Sequence, residues 1–409
     1  MTAPKTSKAL KSSQKLSQLV KKYYKDIHEA KAQGKKIVWS SGIAPVELFH
    51  AMDLVPVFPE NYAAACAVKQ ISQDLQYYAE KAGYISDLCS YFRSDIGHVL
   101  SNCTYLGGLP KPDLLVASRN LCTTHVKWFE VLSRYFNCPL FVWDLPFGTL
   151  NKKFAPEFHR LEYAISQLHE LIKVIENITH CELNTWRLQE AIFLGDEAAR
   201  LWIEINESRK NRPAPISCTD MLGNLFVLVT LSGTPIAVEF LREVAKEVNN
   251  RVSNKIGIVS QERFRLLWDV MPLWHHMELF DRFQSAGAVF VVELYNYGRV
   301  WGQRLDCAQP LESLAKRHLT HMFNIDMDSR VKLLREILRE FQIDGYVNHV
   351  IRSCNVLNGS TLHLANKMKK ELGIPTLTLE SDHCDSRAFA PAMIENRIQA
   401  FLELLEANQ

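Results

Sequence analysis

The sequence predicts an α/β protein: two doubly wound, Rossmann-like parallel-sheet domains joined by a helical segment. Three observations carry this. Strand-like and helix-like stretches alternate in the first and last thirds of the chain, and the middle is helical throughout. Alternating strands and helices build parallel sheets through right-handed crossovers. A unit made of a short apolar strand, a cysteine and a helix also occurs twice. It runs from Asp113 to Cys122 and again from Asp344 to Cys354.

The elements follow in order. Residues 1–35 are lysine-rich, with Leu16, Leu19, Val20, Tyr23 and Ile27 at helical spacing, which reads as a basic helix docked by one stripe. A first α/β domain spans 36–156. It opens with a strand around Trp39, a helix from Val46 to Met52 introduced by Pro45, and a strand from Val55 to Phe58. A helix over 70–83 ends at Gly83, and the Cys122 unit completes the domain. A helical segment covers 157–260, broken at Arg212-Pro-Ala-Pro215. The second α/β domain, 261–409, reads as helix 261–269, a helix ending at Ala286 and a strand over 287–293. Helix 328–341, strand 345–351, helix 359–372, strand 374–379 and a terminal helix from about 391 complete it.

Bulk properties narrow the function. A chain of 409 residues, 47% hydrophobic and 22% charged, is an ordinary globular protein of two or three domains. A net charge of +2 argues against a nucleic-acid partner held by phosphate neutralisation. No uncharged apolar run approaches the roughly 18 residues of a membrane span, and the N-terminus has no secretory core, so a cytoplasmic location is expected. Gly-x-Gly-x-x-Gly, Walker A and Gly-x-Ser-x-Gly patterns are all missing from the sequence.

The cysteines point to chemistry. There are ten, and no Cys-x-x-Cys pair, so any metal site must gather distant residues. A single cysteine is most often a small buried apolar side chain. Cys122 and Cys354 differ, because each stands where a parallel strand hands over to a helix N-terminus. That end of an open α/β sheet binds ligands, and the helix dipole there favours a thiolate. Two such sulfurs from two half-chains could meet across a cleft and hold a metal cofactor. His125, His349 and His383 lie close by in sequence as possible ligands or acids. His275 and His276 fall on different helix faces among apolar residues and are read as structural.

With these residues laid out, the chain resembles the 2-hydroxyacyl-CoA dehydratase and benzoyl-CoA reductase family, in particular its cluster-carrying subunits. The matching segments include Val38-Trp39-Ser40-Ser41-Gly42, Phe58-Pro59-Glu60-Asn61, Gly83 to Cys89, Pro112 to Glu130, Asn211 to Pro215, Arg352-Ser353-Cys354 and Glu380 to Phe389. The resemblance implies a 4Fe-4S cluster bound by Cys89, Cys122 and Cys354 with its fourth iron position open. It implies an acyl-CoA thioester substrate, with Glu60 beside the active site as a candidate for proton transfer or for positioning at the open iron, against a plain reading as a loop cap after Pro59. Ser40 or Ser41 is the candidate to replace the serine that dehydratases carry at the position of Gly42, the alternative being a carbonyl held differently. It also implies a homologous second cluster-binding subunit and an ATP-dependent iron–sulfur activator. The activator would deliver one strongly reducing electron, and a ketyl radical would form on the thioester. Dehydration of an (R)-2-hydroxyacyl-CoA is the main expectation, and aryl-CoA reduction the alternative. Two positions depart from the family pattern: Gly42 stands where dehydratases carry a serine, and Val270 where a glycine is frequent. These motivate a further alternative, a non-catalytic relay or scaffold subunit. A zinc site built from Cys122, Cys354 and a histidine is the remaining one.

Overall fold

A computed structural model describes residues 9–147 and 157–408. The sequence boundary at 156 and the first eight residues of the basic N-terminal stretch lie outside these described residues. Two four-stranded sheets form the frame. The first holds β1 (Ile37–Ser40), β2 (Val55–Val57), β3 (Leu114–Ser118) and β4 (Leu140–Trp143) in the order β2-β1-β3-β4. The second holds β5 (Phe264–Asp269), β6 (Ala288–Glu293), β7 (Gly345–Ile351) and β8 (Thr376–Ser381) in the order β6-β5-β7-β8. Every pairing is parallel. The two sheets therefore share one topology, and in each the chain leaves the first strand to one side and returns on the other. The crevice opens at that reversal, outside the strand C-termini.

Burial explains the strand composition. β1, β3, β5 and β6 are buried along their whole length, so they read as continuous apolar runs without alternation. The expected helix over 261–269 is corrected here: Phe264–Asp269 is β5, a central strand. Arg265 gave that run a false polar face. It is fully buried, and its guanidinium donates to Glu262 and to the carbonyls of Phe341 and Arg209. Just beyond β5, Val270 sits at φ +77°, a conformation that a β-branched residue adopts only under strain.

Helices Glu157–Thr179, Thr185–Ser208, Cys218–Leu231 and Pro235–Ser253 make up the helical segment. The N-terminal helix, Ser12–Ala32, buries Tyr23, Tyr24 and Ile27. Its start is tied to the helical segment, with the Ser12 amide and hydroxyl donating to Glu247. Tyr23 donates to the Pro56 carbonyl at 2.8 Å, which fixes the helix against the first sheet. The largest core cluster runs from this helix through the first sheet and includes Val270, Met271, Ile351 and Leu357 of the second half. Both halves thus share one interior, and their strand C-termini face it. No helix among the described residues is long and apolar enough to cross a membrane.

Candidate active site

Three cysteines occupy one structural role. Cys89 is the N-cap of helix Ser90–Ser101, Cys122 of helix Thr123–Phe136, and Cys354 of helix Asn355–Glu371. Each sulfur therefore lies at the positive end of a helix, facing backbone N–H groups that lack intrahelical partners. The His125 amide donates to the Cys122 sulfur at 3.2 Å. All three residues line a single cavity of about 80 Å³, together with Glu60, Gly42, Tyr91 and Tyr295.

The duplicated topology builds this cavity. Gly42 follows β1 by two residues, and Met271 follows β5 by two. Glu60 comes after β2 and Tyr295 after β6; Cys122 comes after β3 and Cys354 after β7. Cys89 has no strand before it and is held by a separate lock. The Ser90 amide donates to the Ser353 hydroxyl at 3.1 Å, and the hydroxyls of Ser90 and Ser353 each donate to Asp382 at 2.5 Å. Residues adjoining Cys89 and Cys354 are thereby clamped to one buried carboxylate. Arg93, bonded to the Leu88 carbonyl and paired with Glu80 and Asp385, fixes the turn before Cys89.

Electrostatics within the cavity are set by burial. Burial pushes the Cys122 thiol up to about 12, against the pull of the His125 amide. The Cys89 thiol is raised well above its usual value, first by burial and then by the neighbouring Cys354 and Cys122. Burial raises Cys354 as well. Such thiols ionise only when a cationic centre replaces their protons, as iron or zinc does. Burial also raises the Glu60 carboxyl to about 7, although the Gly42 amide donates to its Oε2 at 2.8 Å and pulls the other way. A carboxyl titrating near neutrality is poised to take up and release a proton.

Not every residue singled out from the sequence reaches the cavity. Ser40 donates to the Val116 carbonyl at 3.1 Å and Ser41 to the Ile43 carbonyl at 3.0 Å, both fully buried and outside the cavity lining. From that turn it is the Gly42 backbone that faces Glu60. A β-carbon on Gly42 would meet Glu60 Oε2 and Val229 at 3.6 Å, ordinary contact, so the site has room for a side chain there. His125 lines the cavity, and neither of its ring nitrogens has a hydrogen-bond partner among the described residues. His349 bonds the Met271 carbonyl, and His383 lies edge-on to Tyr91 and within reach of the Ser90 hydroxyl. Tyr91, Tyr295, Trp301 and Phe323 also line the cavity and were not singled out from the sequence. The position of Tyr295 after β6, matching Glu60 after β2, was the available signal.

The three sulfurs fit a polynuclear iron–sulfur group. They are soft donors set around a space, each at a helix N-terminus, in an apolar surround. Among the described residues, no group of three His, Cys, Asp or Glu side chains, the three cysteines included, is already drawn together around a single metal ion.

Known proteins resemble this chain in sequence over nearly its whole length. The family described as "2-hydroxyglutaryl-CoA dehydratase, D-component" matches residues 42–405. The chain is 27% identical over 399 residues to the (R)-2-hydroxyisocaproyl-CoA dehydratase alpha subunit of Clostridioides difficile, covering 96% of this chain and 95% of that one. It is 26% identical over 421 residues to the alpha subunit of lactoyl-CoA dehydratase from Anaerotignum propionicum, covering 98% of each. It is 28% identical over 431 residues to a benzoyl-CoA reductase component of Thauera aromatica, covering 99% and 98%. The chain belongs to the 2-hydroxyglutaryl-CoA dehydratase D-component family.

Proposed function

We propose that this chain is the cluster-carrying component of a 2-hydroxyacyl-CoA dehydratase, with Cys89, Cys122 and Cys354 holding a 4Fe-4S cluster. The observation that carries this is the meeting of three helix-capping cysteines with a carboxyl near neutrality in one apolar cavity. Held by these three cysteines, such a cluster would supply one-electron chemistry beside the thioester. Glu60 moves the proton: near pH 7 it is divided between its acid and base forms, which suits removal and return of a proton beside a thioester. The Gly42 amide orients the carboxylate through Oε2. Leu121, Trp128, Trp301, Phe323 and Leu357 keep water from the reacting groups. Relatives named as alpha subunits support a second subunit, and an ATP-dependent iron–sulfur activator is the proposed electron source.

The test is anoxic purification followed by iron and acid-labile sulfide analysis, then turnover with a 2-hydroxyacyl-CoA and an activator. Iron and sulfide together with water elimination support the reading. A protein that takes up neither after reconstitution overturns it. The benzoyl-CoA reductase relative favours a second reading, aryl-CoA reduction, which the same complex would reveal by consuming electrons stoichiometrically.

A further inference from the structure

Among the described residues, three side chains that line the cysteine cavity carry nitrogen: His125, Trp128 and Trp301. Two of them are already engaged. Trp128 Nε1 donates to Asp95 Oδ2 at 2.7 Å, and Trp301 Nε1 to the Tyr295 carbonyl at 2.6 Å. His125 is 1% exposed, and both of its ring nitrogens lack a partner among the described residues. Aromatic neighbours hold its ring in place. Its centroid lies 4.3 Å from that of Phe129, at 31°, and 5.5 Å from that of Trp128, at 67°. The residue stands in the first turn of the helix that Cys122 caps, and its amide donates to the Cys122 sulfur. Whichever tautomer it holds, an imidazole has at least one N–H. A buried donor with no acceptor is rare in folded proteins, so the occupant of the cavity is what completes it.

Resting on the cluster reading above, we infer that His125 donates a ring N–H to a sulfur of the iron–sulfur group and raises its reduction potential. Sulfur is the acceptor that the surroundings offer. Three cysteine sulfurs line the same cavity, and the His125 amide already points at one of them. Glu60, the carboxylate of that cavity, accepts from the Gly42 amide instead. Thiolates and bridging sulfides give the group a net negative charge, and reduction adds one more. A fixed N–H therefore stabilises the reduced form more than the oxidised one. The amides at the three helix N-termini pull in the same direction.

The experiment is a redox titration of the anoxically reconstituted full-length chain, followed by electron paramagnetic resonance, for the parent, His125→Phe and His125→Gln. Phenylalanine keeps a flat ring against Phe129 and has no N–H, whereas glutamine keeps a side-chain donor. His125→Phe is expected to titrate lower by at least about 59 mV, a tenfold shift in the ratio of reduced to oxidised cluster for one electron. His125→Gln is expected to recover most of that shift. An unchanged potential in His125→Phe at full iron content overturns the inference and leaves the cluster reading standing. A parent that holds no iron after reconstitution overturns the cluster reading and takes the inference with it. If His125→Phe alone takes up no iron, the parent decides. With its histidines isotopically labelled in the imidazole nitrogens, pulsed resonance of the reduced cluster is expected to show a weak nitrogen coupling that His125→Gln lacks. No coupling, or the strong coupling of an iron-bound nitrogen, overturns the inference.

Discussion

Replacing Glu60 by Gln keeps the side chain's shape and an acceptor for the Gly42 amide while removing the ionisable proton. The structure sets the size of the effect. A carboxyl raised from 4.5 to about 7 by burial corresponds to about 3 kcal/mol of pH-linked stability. Its sign follows from the direction. Below pH 4.5 Glu60 is protonated in folded and unfolded chains alike. As pH rises through 4.5 towards 7 the unfolded chain ionises first, so the parent loses stability across that window. The amide never ionises, so Glu60→Gln should match the parent near pH 4.5 and exceed it by up to about 3 kcal/mol near pH 8. Urea unfolding of both proteins, followed by circular dichroism at the two pH values, measures this directly. Asp95, also raised by burial to about 7, is common to both proteins and cancels in the difference. A difference that is the same at both pH values, or a variant less stable near pH 8, refutes burial of the carboxyl as the source of its high value. Turnover should fall by about 10²–10⁴ in the same variant, the usual worth of a positioned proton-transfer group.

Two further substitutions test what holds the site in place. Gly97→Ala puts a β-carbon 1.7 Å from the Leu75 carbonyl oxygen, where helix Ser90–Ser101 meets helix Ser72–Lys81. A loss of about 3 kcal/mol or more in thermal unfolding is expected, and an unchanged midpoint contradicts the close approach. Arg317→Met leaves Glu47 buried without its partner, a loss of about 3–5 kcal/mol. Adding Glu47→Gln to that variant should recover most of the loss, and a double variant no better than the single one argues against the pair.

Much of the fold was legible because its strands are short apolar runs between helix signals, and the repeated strand–cysteine–helix unit marked the two switch points. Cys122 and Cys354 were visible on that ground alone. Cys89 was not, since it follows a turn, and only the family resemblance pointed to it. Helices Pro59–Val68 and Ser90–Ser101 went unread for a physical reason. The second is buried from Ser90 to His98, with Arg93, Asp95 and His98 inside, so no apolar stripe sets off a polar face. The same inversion, a buried Arg265 in an apolar run, disguised β5 as a helix. At the site, residue type misled for Ser40 and Ser41, whose hydroxyls satisfy backbone carbonyls at the end of β1. The contribution of that turn is a backbone amide, which no side-chain motif reveals.

The three cysteines as cluster ligands are tested most directly by iron and sulfide content after anoxic reconstitution of Cys89→Ser, Cys122→Ser, Cys354→Ser and Cys181→Ser. The first three replace sulfurs that line the cavity, and the fourth an exposed cysteine away from it. The expected result is about four irons and four sulfides per chain in the parent and in Cys181→Ser, with most of both lost in each of the other three. Retention of a full complement in any of those three, or equal loss in all four, contradicts this ligand assignment.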